Sequence, residues 1–326
     1  MPSWHGPHRL RRTALAAVAA SAVAVALASG LAAPARAAAR LPVNYDFIAG
    51  ATATALAPDI PPPGANNPSC QLTAAHPYPV ILVHGTFENM DDNWQAAAPL
   101  LANHGYCVYA FNYGGTSPAS PVQGTGEIAA SAAQLATFVN TVLAATGASK
   151  ADLVGHSQGG MMPRYYLNFL GGAAKVNDLV ALAPSNFGTT LDGLTELASL
   201  LGESSAVNGV LSSVCEACVE QEQGSAFLAR LNAIPTVPGV QYTVIESVDD
   251  EVVTPYTNAF LPAAPNVTNI TVQHQCALDG SDHPELAADP VALADMLNAL
   301  DPAGPVHVPC LVVRPLSGPV GPVPSF

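Results

Sequence analysis

The chain reads as one α/β domain, a mostly parallel sheet with helices on both faces. Three observations predict it. From Pro79 onward, short apolar runs of strand length alternate with longer helical stretches, the rhythm of repeated βα units. The 326 residues are 49% hydrophobic and 10% charged, enough chain for a sizeable core within one domain. And one apolar run, 151–154, passes straight into a helical stretch through Gly155-His156-Ser157-Gln158-Gly159.

Taken in order, residues 1–12 carry Arg9, Arg11 and Arg12 without an acid, and an Ala/Val-rich run follows over 14–33. Ala35-Arg36-Ala37 then supplies a small-residue cleavage site. Residues 1–37 are expected to be a secretory signal peptide, cut near Ala37 or Ala39, rather than an uncleaved anchor. The Arg11-Arg12 pair hints at twin-arginine export. No other segment reads as a membrane span. Loss of the leader removes four arginines and leaves 6 basic against 24 acidic residues, a net charge of −18. Such a surface repels phosphate backbones and anionic membranes, which argues against a nucleic-acid partner and suits a neutral substrate. Nothing in the sequence implies a protein partner.

Residues 38–78, rich in Pro, Asn and Ala, form an extended lead-in. Strands are expected at 80–83, 106–111, 152–154, 179–182, 241–246 and 267–272. Helices are expected near 94–101, over 127–145, from 159 to a Gly171-Gly172 stop, and over 290–300. The catalytic domain is therefore 38–301, followed by a Pro-rich tail, 302–326. The six cysteines (Cys70, Cys107, Cys215, Cys218, Cys276, Cys310) all survive leader removal. In an exported chain they imply disulfides, with 15 possible pairings. Cys215-x-x-Cys218 follows no strand and has no second Cys/His pair at metal spacing, so a local bridge fits better than a redox or zinc motif. Gly124-x-Gly126 is not a dinucleotide fingerprint. Neither a metal site nor a cofactor is indicated.

The 151–160 stretch has the form of a nucleophile elbow. A strand turning sharply into a helix strains its pivot residue and exposes it, and glycines two positions to either side let the chain pass close by. Ser157 is the candidate nucleophile. A serine hydroxyl needs a histidine to take its proton and an acid to orient that histidine, and in this architecture they follow in the order Ser, acid, His. His283 sits in a polar loop, Asp279-Gly280-Ser281-Asp282-His283-Pro284, between the last strand and the last helix. His274 and His307 are placed less well. The acid falls in Asp249-Asp250-Glu251, beyond the 241–246 strand, and spacing alone does not choose among the three. The oxyanion of a tetrahedral intermediate would take the N–H of Gln158 and a donor from Thr86, in the loop after the first strand. His84 reads as a packed histidine supporting that loop.

At these residues the chain resembles the secreted class 2 triacylglycerol lipases of actinobacteria and, more loosely, the yeast lipase B type. The likeness spans roughly residues 76–301. It rests on Val83-His84-Gly85-Thr86-Phe87, Leu153-Val154-Gly155-His156-Ser157-Gln158-Gly159-Gly160-Met161, Ala183-Pro184-Ser185-Asn186-Phe187-Gly188-Thr189, Asp250-Glu251-Val252-Val253-Thr254-Pro255 and Ser281-Asp282-His283. The resemblance implies an α/β-hydrolase fold without a cofactor, selects Asp250 as the acid, and maps the paired hole donors to Thr86 and Gln158. It also implies bridges Cys70–Cys107, Cys215–Cys218 and Cys276–Cys310. Phe187 stands where many relatives carry a polar residue or histidine, so the acyl-pocket wall differs here.

About sixty residues separate the strands at 179–182 and 241–246, more than a crossover helix needs. Leu191, Leu194, Leu197, Ala198 and Leu201 share one helical face there, either as core or as the apolar side of a small cap. Residues 188–225 are the candidate cap, and Phe87, Phe187, Leu191 and Leu194 the candidate acyl contacts. The expected activity is ester hydrolysis, with acylglycerols the leading substrates at a transient lipid–water interface. A short-chain or polyester-acting carboxylesterase with the same triad is the alternative. A non-catalytic envelope-binding module fits less well, because all three triad positions are present.

Overall fold

The computed structural model describes residues 39–54, 57–201 and 215–325. The leader expected at 1–37 and part of the expected cap, 202–214, lie outside the described residues. Six strands form one sheet: β1 Val80–Val83, β2 Val108–Ala110, β3 Ala151–His156, β4 Val176–Leu182, β5 Gln241–Glu246 and β6 Val267–Thr271. Their order is β2-β1-β3-β4-β5-β6, with every neighbouring pair parallel. The chain runs from β1 outward to β2, then crosses back over β1 to β3 and continues outward the other way. In an open α/β sheet this reversal leaves a crevice beyond the carboxyl ends of the two strands where it occurs, here β1 and β3.

Alternate side chains of each strand supply opposite faces. Ile81, Val83 and Leu153 pack with Ile128, Leu135, Val139 and Val142 of the helix Ile128–Thr146. Val80, Leu82 and Val154 pack with Trp94, Leu101 and the Val291, Leu293 and Met296 side of the helix Pro290–Leu300. The helix Ile128–Thr146 corrects the reading that no segment beyond the leader resembles a membrane span. By length and composition it is apolar enough to cross one. In the fold its large apolar side chains cover the sheet, and its outer face carries Ala, Thr, Gln and Asn.

The helix after the elbow also departs from expectation. It is divided into Gln158–Met161 and Pro163–Phe169, because Pro163 has no N–H to donate back along the helix. The helix expected at 94–101 begins later, at Ala97–Asn103. The lead-in contains a helix at Phe47–Thr54 that was not foreseen. Beyond it, Asn66 runs along the exposed edge of β2: its N–H donates to Val108 O at 2.8 Å, and its side chain exchanges two hydrogen bonds with Ala110. An otherwise open sheet edge is thereby closed.

All six cysteines pair, as Cys70–Cys107, Cys215–Cys218 and Cys276–Cys310. The last bridge ties the tail to the segment before His283. There the tail forms a short antiparallel pair, Val313–Arg314 with Gly318–Pro319. Gly280 N–H donates to Val313 O, and Leu316 N–H donates to Asp282 Oδ1, both at 3.1 Å.

Candidate active site

Ser157 joins β3 to the helix Gln158–Met161 with φ 54° and ψ −123°, a backbone conformation that costs a non-glycine residue strain. The turn holds because its neighbours have no side chains. A Cβ on Gly155 would overlap the carbonyl of Gly159, and one on Gly159 would overlap Val83 O in β1. The elbow is thus pressed against the end of β1, and a Cβ on Gly85 would come within 3.1 Å of Ser157 Cβ. The loop after β1 and the elbow after β3 meet at the switch point.

The ambiguous acids separate by burial and partner. Asp249 is exposed. Asp250 is buried, and its Oδ1 accepts the N–H groups of Val252 and Val253 at 2.8 and 2.7 Å. Its Oδ2 lies 2.7 Å from His283 Nδ1. Glu251 Oε2 accepts the backbone N–H of His283 at 3.3 Å. Of the three candidate histidines, His274 and His307 are exposed and His283 is fully buried. Facing a carboxylate, His283 Nδ1 carries the hydrogen, which leaves Nε2 with a free lone pair. Among the described residues that buried Nε2 has no hydrogen-bond partner.

Burial pulls the His283 pKa down, but the charge and hydrogen bond of Asp250, with Glu251 and Glu88 behind them, outweigh it and raise the value above 6.5. Burial lifts Glu251 to about 7. Burial, reinforced by the neighbouring Asp250 charge, puts Glu246 well above the usual carboxylate range. The pair therefore sits in an acidic, desolvated pocket.

Gln158, as the first residue of its helix, has an N–H with no intrahelical acceptor. Thr86 is fully buried beside it, and Gln158 Nε2 donates to Thr86 Oγ1 at 2.8 Å. His84 Nδ1 donates to Gly85 O at 2.8 Å, while its ring stacks on Tyr113 at 4.2 Å between centroids. Burial lowers its pKa to about 4, in keeping with a neutral supporting residue.

Several participants were not legible in the sequence. His156 Nε2 donates to the carbonyl of His283 at 3.0 Å, and its Nδ1 lies 3.0 Å from Glu88 Oε2 and 3.1 Å from Asn93 Nδ2. Glu88 and Asn93 also receive the N–H of Gly85. One buried histidine thus joins the His283 loop to the loop carrying Thr86. Gly124 has φ 68° and packs against Gly85 and Thr86, and its carbonyl accepts from Gln158 Nε2 at 2.8 Å. Only the His156 position, inside the elbow motif, could have drawn notice beforehand.

Three of the four candidate acyl contacts fall in or against one apolar cluster. Phe87 and Leu194 are buried in it, and Phe187 is half-buried against it. Leu194 packs with Leu197 and Ala198, on the core side of the helix Leu191–Leu200. The side chain of Leu191 lies outside the described residues.

The strand order and the elbow at its switch point define an α/β-hydrolase fold. In fold the chain is similar to Aspergillus fumigatus lipase B, with a TM-score of 0.57 at 20% identity over 75% of this chain and 56% of that one. The chain belongs to the class 2 lipase family, whose model matches residues 77–294. Two triacylglycerol lipases, from Pseudarthrobacter phenanthrenivorans and Burkholderia plantarii, are each 45% identical to it over 97 residues. That stretch is 28% of this chain and 28% and 25% of theirs, so the match spans about a quarter of those relatives.

Proposed function

We propose that the chain is a secreted serine ester hydrolase that cleaves acylglycerols through an acyl-enzyme on Ser157. The observation that carries the reading is the buried Asp250–His283 pair at 2.7 Å, with the bare Nε2 left for a serine proton. His283 Nε2 takes the Ser157 hydroxyl proton as Oγ attacks the ester carbonyl. Asp250 stabilises the imidazolium, which then protonates the departing alcohol. Gln158 and Thr86 donate to the oxyanion. A water molecule, deprotonated by His283, attacks the acyl-enzyme and releases the fatty acid. Membership of the class 2 lipase family and the lipase names of its relatives favour acylglycerols over other esters. Phe87, Phe187, Leu191 and Leu194 would meet the acyl chain, with residues 188–225 as a cap.

The test is hydrolysis of p-nitrophenyl esters from C2 to C16 and of emulsified triacylglycerol, by wild type and Ser157→Ala. The expected result is activity on long chains and emulsion, with a loss of roughly 10⁴-fold or more in the variant. Turnover of short soluble esters alone would select the carboxylesterase reading. Undiminished turnover by Ser157→Ala would remove the acyl-enzyme.

A further inference from the structure

Thr86 Oγ1 has a second donor that the scheme above does not use. Gln221 Nε2 lies 2.9 Å from it, opposite Gln158 Nε2 at 2.8 Å, and all three side chains are buried. A hydroxyl offers two acceptor lone pairs and one hydrogen. If both amides donate, the acceptor side of Thr86 is saturated and its hydrogen must point elsewhere.

The orientation of both amides is fixed by other partners. Gln158 Nε2 also faces the carbonyl of Gly124 at 2.8 Å, and a carbonyl can only accept. Gln221 Nε2 also faces Ala217 O at 3.2 Å, while its Oε1 accepts the Ser185 hydroxyl at 2.8 Å. Exchanging N and O in either amide would set oxygen against oxygen. Both glutamines therefore present N–H to Thr86.

Gln221 is also held from behind. It follows the short helix Glu216–Glu220, which opens on the Cys215–Cys218 bridge. Its own N–H donates to Ala217 O and its carbonyl accepts from Thr189, both at 3.0 Å. Ala217 N–H donates to Thr125 O at 3.1 Å, next to the glycine that supports Gln158.

We infer that Gln221 is a positioning residue for the oxyanion site: with Gln158 it occupies the lone pairs of Thr86 Oγ1 and turns the hydroxyl hydrogen toward the developing oxyanion. This rests on the serine-hydrolase reading and adds to it a part played by the insertion between β4 and β5. The insertion thereby sets a donor of the chemical step as well as any pocket wall. Gln221 acts through Thr86 and touches no reacting atom.

The experiment is a kinetic cycle on a soluble p-nitrophenyl ester, with kcat and KM measured separately and folding checked by thermal melting. Gln221→Glu keeps the shape but offers Thr86 an acceptor, and Gln221→Met removes the amide altogether. Each is expected to lower kcat by about 10- to 100-fold with KM changed less than about 2-fold, at most the lower end of the roughly 10²- to 10³-fold cost of losing an oxyanion donor outright. In a Thr86→Val background the same changes should lower kcat less than about 2-fold further. In Thr86→Ser, which restores the hydroxyl, the sensitivity should return. Equal losses with and without the Thr86 hydroxyl, an effect on KM alone, or an unchanged kcat would each overturn the inference. Comparison of wild type with Ser157→Ala in the same assay tests the underlying reading separately.

Discussion

Two opposing forces act on His283. Desolvation favours the neutral ring, the negative neighbours favour the charged one, and the neighbours prevail. The proposed mechanism requires the neutral form, so kcat/KM should rise with pH through an apparent pKa above 6.5. The stability linkage runs the other way. A raised histidine pKa stabilises the fold below the unfolded value of 6.5, and that contribution fades as pH climbs through the folded value. Asp250→Asn should cut kcat by roughly 10³- to 10⁴-fold and move the acid limb downward. A limb left in place would mean that Asp250 does not set it. At this scale Ser157 and His283 could be singled out as candidates because each stands in a local motif. Spacing could not single out the acid, because three adjacent carboxylates differ only in what tertiary packing places beside them; the family resemblance alone selected Asp250, the one that pairs with His283. Gln221 was invisible: it meets Thr86 from 135 positions away.

The elbow is an element whose geometry depends on atoms that are missing. Gly159→Ala would drive a methyl group into Val83 O at the end of β1. The expected cost is about 1–3 kcal/mol of stability, as for other overpacked sites. Because the same loop carries Thr86, kcat should fall as well. A variant with wild-type Tm and kcat would show that the strand ends are not in close contact. The strands were read well from the sequence, since Val80–Val83 is an apolar run and Gln241–Glu246 centres on the β-formers Tyr, Thr, Val and Ile, each bounded by turn chemistry. The break before Pro163 does not show in the apolar pattern, which runs on unchanged; it comes from the one N–H that proline lacks. The helix Phe47–Thr54 was missed because its flanks are rich in Pro and Asn, and because it is held by tertiary bonds such as Phe47 N–H to Glu285 Oε2.

Across the molecule, burial holds many carboxylates above their normal range. Asp91, Asp152 and Asp295 are raised to about 6, and Asp178 and Glu251 to about 7. Each keeps a proton in the fold that the unfolded chain has already released, so the folded state binds more protons between about pH 4 and 7 and stability falls as pH rises there. The net negative charge adds self-repulsion in the same direction. Calorimetry from about pH 5 to about pH 8 should show a falling Tm, and a rising Tm would contradict the linkage. The α/β class and the parallel sheet were legible because βα alternation is a property of the whole chain. The position of the tail was not: Pro-rich composition says nothing about where a segment docks.

That docking has a consequence in time. The loop that delivers His283 is braced by Val313 and Leu316, which are synthesised about thirty residues after it. Domains fold progressively as the chain emerges. A nascent chain that has reached Leu300 already contains the elbow, Asp250 and His283, yet lacks the Cys276–Cys310 bridge and both bracing hydrogen bonds. The parts proposed to do the chemistry are made first, and the segment that braces them is made later.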